Sequence, residues 1–257
     1  MPAETNLLTV ESLAVSATLP YGDTKMLVAD VNLSLNAGRA MAIVGESGSG
    51  KTTLAKALAG LLPSSMTTRG KVTTVGLVGY MFQDAGNALN PTRRVIWQVE
   101  EALRALGVPR QKRHDTALDY LKRAEVPDVE RHAHRYPHQL SGGLAQRVLL
   151  AAVLAASPSV LIADEPTSAL DVTTQARIAT LLRRLVREED LGMLLITHDL
   201  TVAAQIADDI AVMYQGRLVE QGSVDEVLHH PQHDYTRELI GALPNRGQHR
   251  RQEEEAL

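Results

Sequence analysis

Hydrophobic and polar residues alternate along much of the first eighty positions, which is typical of β-strands. The alternation predicts two strands that pair with each other or lie at a sheet edge, followed by a short buried strand that ends in glycine. Leucines at helical spacing then predict a helix from Lys51 to about Leu61. The predicted strands are residues 7–19, 26–35, 40–44 and 72–81, the last one broken at Gly76 and Gly79.

From residue 91 the pattern changes to one that predicts helices. Apolar residues recur three and four positions apart, and Gly107 with Pro109 should end the first of these helices. The predicted helices are residues 95–106, 111–124 and 143–156.

In the C-terminal part, short apolar strands alternate with helices, which predicts a parallel sheet covered by helices on both faces. The helical block at 84–156 interrupts this alternation, so we expect it to be a subdomain inserted between strands of the sheet. The predicted segments are strands at 160–163 and 193–197, helices at 172–188 and 200–207, and a hairpin of 210–213 and 217–220 around Gln215 and Gly216.

Composition excludes several classes of protein. Lys and Arg number 26 against 30 Asp and Glu, and this net charge of -4 argues against a general nucleic-acid binder, which should carry a basic excess. The sequence contains no cysteine, so disulfides, iron–sulfur clusters and thiolate zinc sites are excluded. The longest apolar run, Val148 to Ala156, is far below the roughly 18 residues that span a bilayer. The N-terminus lacks the basic and apolar blocks of a signal peptide.

Residues 45–52 read GESGSGKT and fit the phosphate-binding pattern G-x-x-x-x-G-K-[ST]. A predicted strand precedes the pattern and a predicted helix follows it. The glycines let the backbone turn so that successive N–H groups face one point, and the start of the helix adds its positive end there. Lys51 would reach the β- and γ-phosphates, and Thr52 could ligate Mg²⁺. The sequence therefore predicts a nucleotide site.

Two adjacent carboxylates follow a predicted buried strand in the segment VLIADEP, residues 160–166. Open α/β sheets bind ligands at the carboxyl ends of their strands, which is where Asp164 and Glu165 would lie. Asp164 suits the coordination shell of a metal, and Glu165 could orient or polarise an attacking water. An Asp-Glu pair alone is often a solvated strand end, but beside a phosphate loop it predicts phosphoryl transfer to water.

The segment LSGGLAQR, residues 140–147, resembles the LSGGQ signature of the ABC (ATP-binding cassette) ATPases. Ser141, Gly142 and Gly143 would sit at a helix start, where hydroxyl and N–H groups form a second anion-binding end. Leu144 departs from the glutamine that is usual in the signature, although hydrophobic residues occur there in the peptide-importer branch.

Other stretches match further motifs of the same family, in the family's order. Gln83 in MFQD resembles the Q-loop glutamine, residues 168–171 (SALD) resemble the D-loop, and His198 in ITHD resembles the switch histidine. Tyr21 resembles the aromatic residue that stacks on adenine, although a lone Tyr before Gly is also typical of a surface turn.

The resemblance implies an α/β fold: a P-loop NTPase (RecA-like) core with N-terminal antiparallel β elements and an inserted α-helical subdomain. It implies a single ABC ATPase domain over residues 1–244. We expect a core of 1–83 and 157–230, a helical subdomain at 84–156, a closing segment at 231–244 and a disordered tail at 245–257.

The resemblance also implies a Mg²⁺-dependent ATPase in which each ATP lies between two chains, because the family's signature serine faces ATP held by the opposite subunit. The implied catalytic residues are Glu165, His198 and Gln83, and the implied metal-binding residues are Thr52, Gln83 and Asp164. The implied ATP-binding residues are Tyr21, Gly45, Glu46, Ser47, Gly48, Ser49, Gly50, Lys51, Thr52, Thr53, Ser141, Gly142 and Gly143.

Three more stretches resemble the ATPase subunits of oligopeptide, dipeptide and nickel importers: ALNP at 88–91, LDVTTQARI at 170–178 and HHPQHDYTRELIGALP at 229–244. This implies a second ABC ATPase subunit, identical or related, and integral membrane permease subunits contacted through the segment after Gln83 and the helix at 92–106. It also implies an indirect link to a solute-binding protein, no nucleic acid, and a peripheral position on the cytoplasmic face of the membrane. The segment between the phosphate loop and Gln83 is shorter than is usual in these importers, and the sequence ends soon after Pro244. These departures leave the cargo open among peptides, nickel and metal chelates.

Two alternatives stay open at this point. Some ABC ATPases serve soluble complexes, and those of carbon–phosphorus bond cleavage machinery resemble the peptide-importer branch. Two groups of histidines, at 132–138 and 229–233, could form a nickel-linked metal site or could be surface and hydrogen-bonded residues.

Overall fold

The structure is a computed structural model, and it describes residues 5–19, 23–168 and 170–243. Its strands are β1 (Asn6–Thr18), β2 (Thr24–Asn36), β3 (Ala40–Val44), β4 (Met66–Thr74), β5 (Val78–Met81), β6 (Val160–Asp164), β7 (Gly192–Thr197), β8 (Asp209–Tyr214) and β9 (Arg217–Ser223). Its helices are α1 (Lys51–Leu58), α2 (Ala85–Ala88), α3 (Val95–Ala105), α4 (Arg110–Arg123), α5 (Val129–Ala133), α6 (Gly142–Leu154), α7 (Val172–Glu188), α8 (Leu200–Ile206), α9 (Val224–His229) and α10 (Asp234–Gly241).

The chain divides into two compact units that each contain separate stretches of sequence. The first contains the chain up to Leu8, Leu35–Arg39 and Thr74–Leu194. The second contains Thr9–Ser34, Ala40–Thr73 and the chain from Leu195.

In the first unit, β5 pairs in parallel with β6, so that Tyr80 lies beside Ile162 and Met81 beside Ala163. Every residue of β6 is buried, as its continuous apolar run predicts. Residues 84–156, between these strands, form helices only, and α3 packs against α4 and α6 through buried aliphatic side chains such as Val99, Leu121 and Leu150.

In the second unit, the buried strand β3 pairs in parallel with β8, and β8 pairs antiparallel with β9. Gln215 and Gly216 connect β8 to β9 with positive φ angles of 46° and 82°, as a tight hairpin turn requires. The strands β1, β2 and β4 form a three-stranded sheet in the order β2-β1-β4. The fold therefore combines parallel strand pairs with helices, which confirms the predicted α/β class.

The prediction that Gly79 breaks a strand is wrong, since Gly79 lies inside β5. A Cβ atom there would lie 2.6 Å from Cγ1 of Val153 on α6 and 3.1 Å from Pro158. The glycine therefore lets α6 approach the strand closely. Gly76 does lie in the break between β4 and β5, with φ of +77°.

Two helices were missed near the C-terminus. Helix α9 begins at a capping box, in which the Ser223 hydroxyl accepts the N–H of Glu226 and the Glu226 carboxylate accepts the N–H of Ser223. Helix α10 begins after His233, whose side chain accepts the N–H of Tyr235. The predicted tail at 245–257 lies outside the described residues.

Within the part of the chain that the structure describes, no helix has both the length and the apolar character needed to cross a membrane.

The close approach at Gly79 can be tested through stability. Gly79→Ala should lower the free energy of unfolding by about 1–3 kcal/mol, because its methyl group overlaps Val153. Urea unfolding followed by circular dichroism would measure this. Adding Val153→Ala should recover part of the loss, because neighbouring substitutions couple.

The control is Gly241→Ala, where an added Cβ meets no atom within 4 Å; its change should stay within about 0.5 kcal/mol. Equal effects at the two glycines would contradict the packing explanation.

Candidate functional site

The phosphate loop, residues 45–52, connects β3 to α1 in the second unit. Gly45 has φ of +154°, and a Cβ atom at this position would lie 2.1 Å from the carbonyl oxygen of Met213 on β8. Only glycine fits so near a neighbouring backbone. Gly50, with φ of +108°, is the residue before α1 and turns the loop into the helix.

The side chain of Lys51 lies inside this loop and is only 5% exposed. Its ammonium group donates hydrogen bonds to the carbonyl oxygens of Gly45 and Glu46, both at 2.7 Å. Glu46, Ser47, Gly48 and Thr52 are exposed, and the first turn of α1 contains no acidic residue. A buried cation and the start of a helix therefore lie beside exposed loop residues, which is an arrangement that attracts phosphate.

His198 belongs to the same unit and is exposed between β7 and α8. The connection is fixed by its neighbours: the Thr197 hydroxyl accepts the N–H of Asp199 at 3.0 Å, and the Asp199 carboxylate accepts the N–H groups of Thr201 and Val202 at the start of α8. The backbone at His198 is thus held by capping hydrogen bonds on its C-terminal side.

In the first unit, Asp164 ends β6 and is 4% exposed. The hydroxyl of Tyr80, on the neighbouring strand β5, donates a hydrogen bond of 2.7 Å to Oδ2 of Asp164. Burial, together with Asp164, raises the pKa of Tyr80, so the phenol keeps the proton that it donates. Sequence reasoning missed Tyr80, and the available signal was a polar-tipped residue in an otherwise apolar buried strand.

Gln83, Glu165 and Ser168 are brought together in the first unit. The side-chain amide of Gln83 donates to Oε2 of Glu165 at 3.0 Å and to the Ser168 hydroxyl at 3.3 Å, and that hydroxyl donates to the Glu165 carbonyl at 3.2 Å. Glu165 has φ of +45°, an uncommon conformation for a residue other than glycine, of the kind that clusters at functional sites. Residues of the Q-loop and the D-loop therefore meet at Glu165, Gln83 at its carboxylate and Ser168 at its backbone carbonyl.

The remaining part of the D-loop caps the next helix. Asp171 accepts hydrogen bonds from the N–H and the hydroxyl of Thr174 at 3.0 and 2.7 Å. These hydrogen bonds lower the pKa of Asp171, so its carboxylate stays charged at the positive end of α7.

The signature residues lie at the start of α6, also in the first unit. Ser141 is exposed at the N-cap position, and its side chain makes no capping hydrogen bond. A Cβ atom on Gly143 would lie 2.3 Å from Cγ2 of Thr174, so glycine allows this helix start to lie against α7. The hydroxyl and the first N–H groups of a 13-residue helix therefore face outward.

Tyr21 and the two groups of histidines are the remaining candidates from the sequence. Tyr21 lies outside the described residues. Of the histidines, His132 Nδ1 lies 2.7 Å from the Pro127 carbonyl oxygen, and His233 caps α10. Among residues 5–19, 23–168 and 170–243, no three His, Asp, Glu or Cys side chains are grouped as a metal site would require. The contacts of these two histidines favour the hydrogen-bonded interpretation.

Residues 28–168 match the profile of the family described as "ABC transporter". The oligopeptide transport ATP-binding protein OppD of Bacillus subtilis is 39% identical over 260 residues, which cover 93% of this chain and 72% of that protein. The dipeptide transport ATP-binding protein DppD of the same organism is 40% identical over 258 residues, covering 93% and 77%.

Two solved structures have the same fold. A dimeric ATP-binding cassette in a post-hydrolysis state, bound to ADP and Pi, has a TM-score of 0.73 at 28% identity and covers 85% of this chain and 99% of its own. The cbiO1 protein of Clostridium perfringens, part of the ABC transporter complex cbiONQ, has a TM-score of 0.77 at 28% identity and covers 96% and 100%. These likenesses confirm the predicted P-loop NTPase fold. The chain belongs to the ABC transporter family, in which it is an ATP-binding and ATP-hydrolysing cassette.

Proposed function

We propose that this ATPase powers an importer of oligopeptides or dipeptides. The observation that carries the proposal is 39–41% identity, over 86–93% of the chain, to ATP-binding proteins of oligopeptide, dipeptide and putative peptide import. The similarity favours import over a soluble complex such as carbon–phosphorus bond cleavage machinery. Nickel and metal chelates are the other cargoes that a transport assay should include.

In this proposal the phosphate loop binds the triphosphate of ATP. The proposal assigns the phosphate oxygens to backbone N–H groups within residues 45–53 and to Lys51, which turns towards them from the carbonyl oxygens of Gly45 and Glu46. The exchange replaces two neutral acceptors by anionic ones, which attract the ammonium group more strongly. Tyr21 stacks on the adenine ring.

Mg²⁺ fits the donor set that the proposal assigns to it. The hydroxyl of Thr52, the side-chain carbonyl of Gln83 and the carboxylate of Asp164 are oxygen ligands, which Mg²⁺ prefers. When bound, the ion neutralises charge that develops on the phosphates. The chain's own contribution is the hydrogen bond from Tyr80, which fixes one Asp164 oxygen and so orients the other.

Glu165 is the residue that orients and polarises the attacking water in this mechanism. Its hydrogen bond from Gln83 holds the carboxylate in one position. Gln83 directly precedes the segment that is proposed to touch the permease, so a movement of that segment would change the position of Gln83 and, through the hydrogen bond, of Glu165. His198 stabilises the transferring phosphoryl group.

The proposed active form is a dimer with an identical or related ABC ATPase subunit. The outward-facing start of α6, with Ser141, Gly142 and Gly143, contacts ATP on the opposite chain. Closure therefore requires ATP, and loss of the γ-phosphate reopens the dimer. Binding energy, rather than the chemical step, drives closure.

The proposed contact with the permease lies in the first unit, at a cleft of about 660 Å³ between α2, α3 and α6. Its lining includes Asn90, Arg93, Trp97, Glu101 and Arg104. The Arg93 guanidinium lies 5.1 Å from the centre of the Trp97 ring, which is 54% exposed. In this proposal the chain lies peripherally at the cytoplasmic face of the membrane, and the permease links it to the solute-binding protein.

The test of this function is reconstitution. The chain, its ATPase partner and the copurifying permease are placed in proteoliposomes with the binding protein, and ATP hydrolysis and cargo uptake are measured. Oligopeptide or dipeptide should stimulate both. If only a Ni²⁺ chelate stimulated both activities, the cargo would be a metal chelate and not a peptide. Copurification with soluble enzymes in place of a permease would overturn import.

Glu165→Gln should lower ATP turnover by at least about 10²-fold, because a well-placed transition-state group is lost. It should also leave a dimer that persists with ATP, which size-exclusion chromatography detects. Glu130→Gln, a change at an exposed residue of α5, is the matched control and should leave both properties unchanged. Near-normal hydrolysis by Glu165→Gln would refute the assigned role.

Ser141→Arg should remove the ATP-dependent dimer, because a bulky side chain then occupies the start of α6. The affinity of the monomeric chain for ATP, measured by calorimetry, should change less than about twofold. The phosphate loop binds this ATP, whereas Ser141 is proposed to contact the ATP of the opposite chain. A dimer that still forms with ATP would argue against the role of this helix start.

Arg93→Glu should reduce copurification of the permease, since it reverses a charge in the cleft. Arg131→Glu is the matched control, because it reverses a charge at an exposed residue of α5 that lies outside both the cleft lining and the proposed contact segment. Quantitative pulldown from detergent-solubilised membranes compares the two. Equal retention of the permease by both variants would place the contact elsewhere.

A further inference from the structure

The closing segment, residues 231–243, contacts the phosphate loop within the second unit. Tyr235 on α10 is 6% exposed, and its hydroxyl oxygen accepts a hydrogen bond of 2.9 Å from the backbone N–H of Glu46, the second residue of the loop. This contact joins residues 189 positions apart in the sequence.

The position of the Tyr235 hydroxyl is fixed by several contacts. Its ring lies 4.2 Å from that of Tyr214 at the end of β8, and its own N–H donates to His233 Nδ1 at 3.1 Å. The carboxylate of Glu220 on β9 accepts the N–H groups of Gln232 and His233 at 2.8 and 3.0 Å. The closing segment is therefore anchored to the β8–β9 hairpin.

The same hairpin supports the loop directly. Gly216 donates its N–H to the carbonyl oxygen of Ser49 at 2.9 Å, and Gly45 lies against the Met213 carbonyl. Burial raises the pKa of Tyr235, so its phenol stays neutral and can accept the Glu46 N–H across the physiological pH range.

Tyr235 and Lys51 hold the two ends of a single peptide group. Lys51 donates to the Gly45 carbonyl oxygen, and the N–H of the same peptide donates to Tyr235. This peptide follows a glycine, so little steric restraint opposes its rotation. When Lys51 turns to the phosphates of ATP, its hold on the carbonyl is lost, whereas the hydrogen bond to Tyr235 can persist.

We propose that Tyr235 is a positioning residue for ATP, which keeps the Gly45–Glu46 peptide in its binding orientation while Lys51 moves to the phosphates. The proposal rests on the phosphate loop being the ATP site. Without the hydroxyl, the peptide samples other orientations, and ATP binding must order it again.

The test is Tyr235→Phe, which keeps the ring and removes the hydroxyl. KM for ATP should rise about three- to tenfold, as expected for one lost hydrogen bond, while kcat stays within about twofold. The dissociation constant of ATP, measured by calorimetry in the Glu165→Gln background, should rise by the same factor. A purely structural role would instead lower the melting temperature and the active fraction, with KM unchanged, and would overturn the proposal.

The matched control is Tyr214→Phe, which removes the hydroxyl of the other ring in the same pair. That hydroxyl accepts from the side chain of Gln215, and its loss should leave KM unchanged. Equal increases in KM for the two variants would overturn the proposal, because they would assign the effect to the ring pair.

A second measurement uses the unmodified sequence. Hydrogen exchange resolved at single amides should show the Glu46 N–H protected with and without ATP, because its partner is Tyr235. Exchange at the rate of an open loop without nucleotide would overturn the proposal. Failure of the wild-type chain to bind ATP would instead refute the assigned ATP site, so the two ideas are tested separately.

Discussion

The structure depends on one requirement of the phosphate loop: consecutive backbone N–H groups must point to the same side, although neighbouring peptide dipoles then repel one another. The loop has no regular hydrogen-bond ladder to hold this arrangement. Gly45 adopts a backbone conformation that other residues rarely adopt, and Lys51 donates a hydrogen bond to its carbonyl oxygen. Gly216 and Tyr235 form hydrogen bonds with the backbone of Ser49 and Glu46 in the loop. Much of the second unit thus serves to support a short segment of backbone.

The first unit meets a different requirement, which is to orient two carboxylates at the end of a buried strand. Asp164 is buried at the end of a strand and receives a proton donor from Tyr80, and Glu165 receives one from Gln83. Both donors are neutral side chains, so hydrogen bonding fixes the two carboxylates here without an ion pair.

The sequence predicted most of the long helices and buried strands well, because these follow local rules. The run 160–164, the helix at 172–188 and the turn at Gln215 are set by periodicity and by glycine. Helices α9 and α10 were missed because they are short and depend on caps from Ser223 and His233. The requirement for glycine at position 79, by contrast, comes from the close contact with Val153, which is distant in sequence, so no local pattern predicts it.

Tyr80 and Tyr235 show the same limit at the level of function. Neither belongs to one of the sequence motifs, yet each hydrogen-bonds through its hydroxyl to a residue that does. The closing segment could be recognised only by resemblance, as a stretch typical of one importer branch. Its hydrogen bond to Glu46 shows how this segment, although far along the chain, contacts the backbone of the phosphate loop. A residue acting in this way influences the affinity for the ligand through its hydroxyl, although it never meets the ligand.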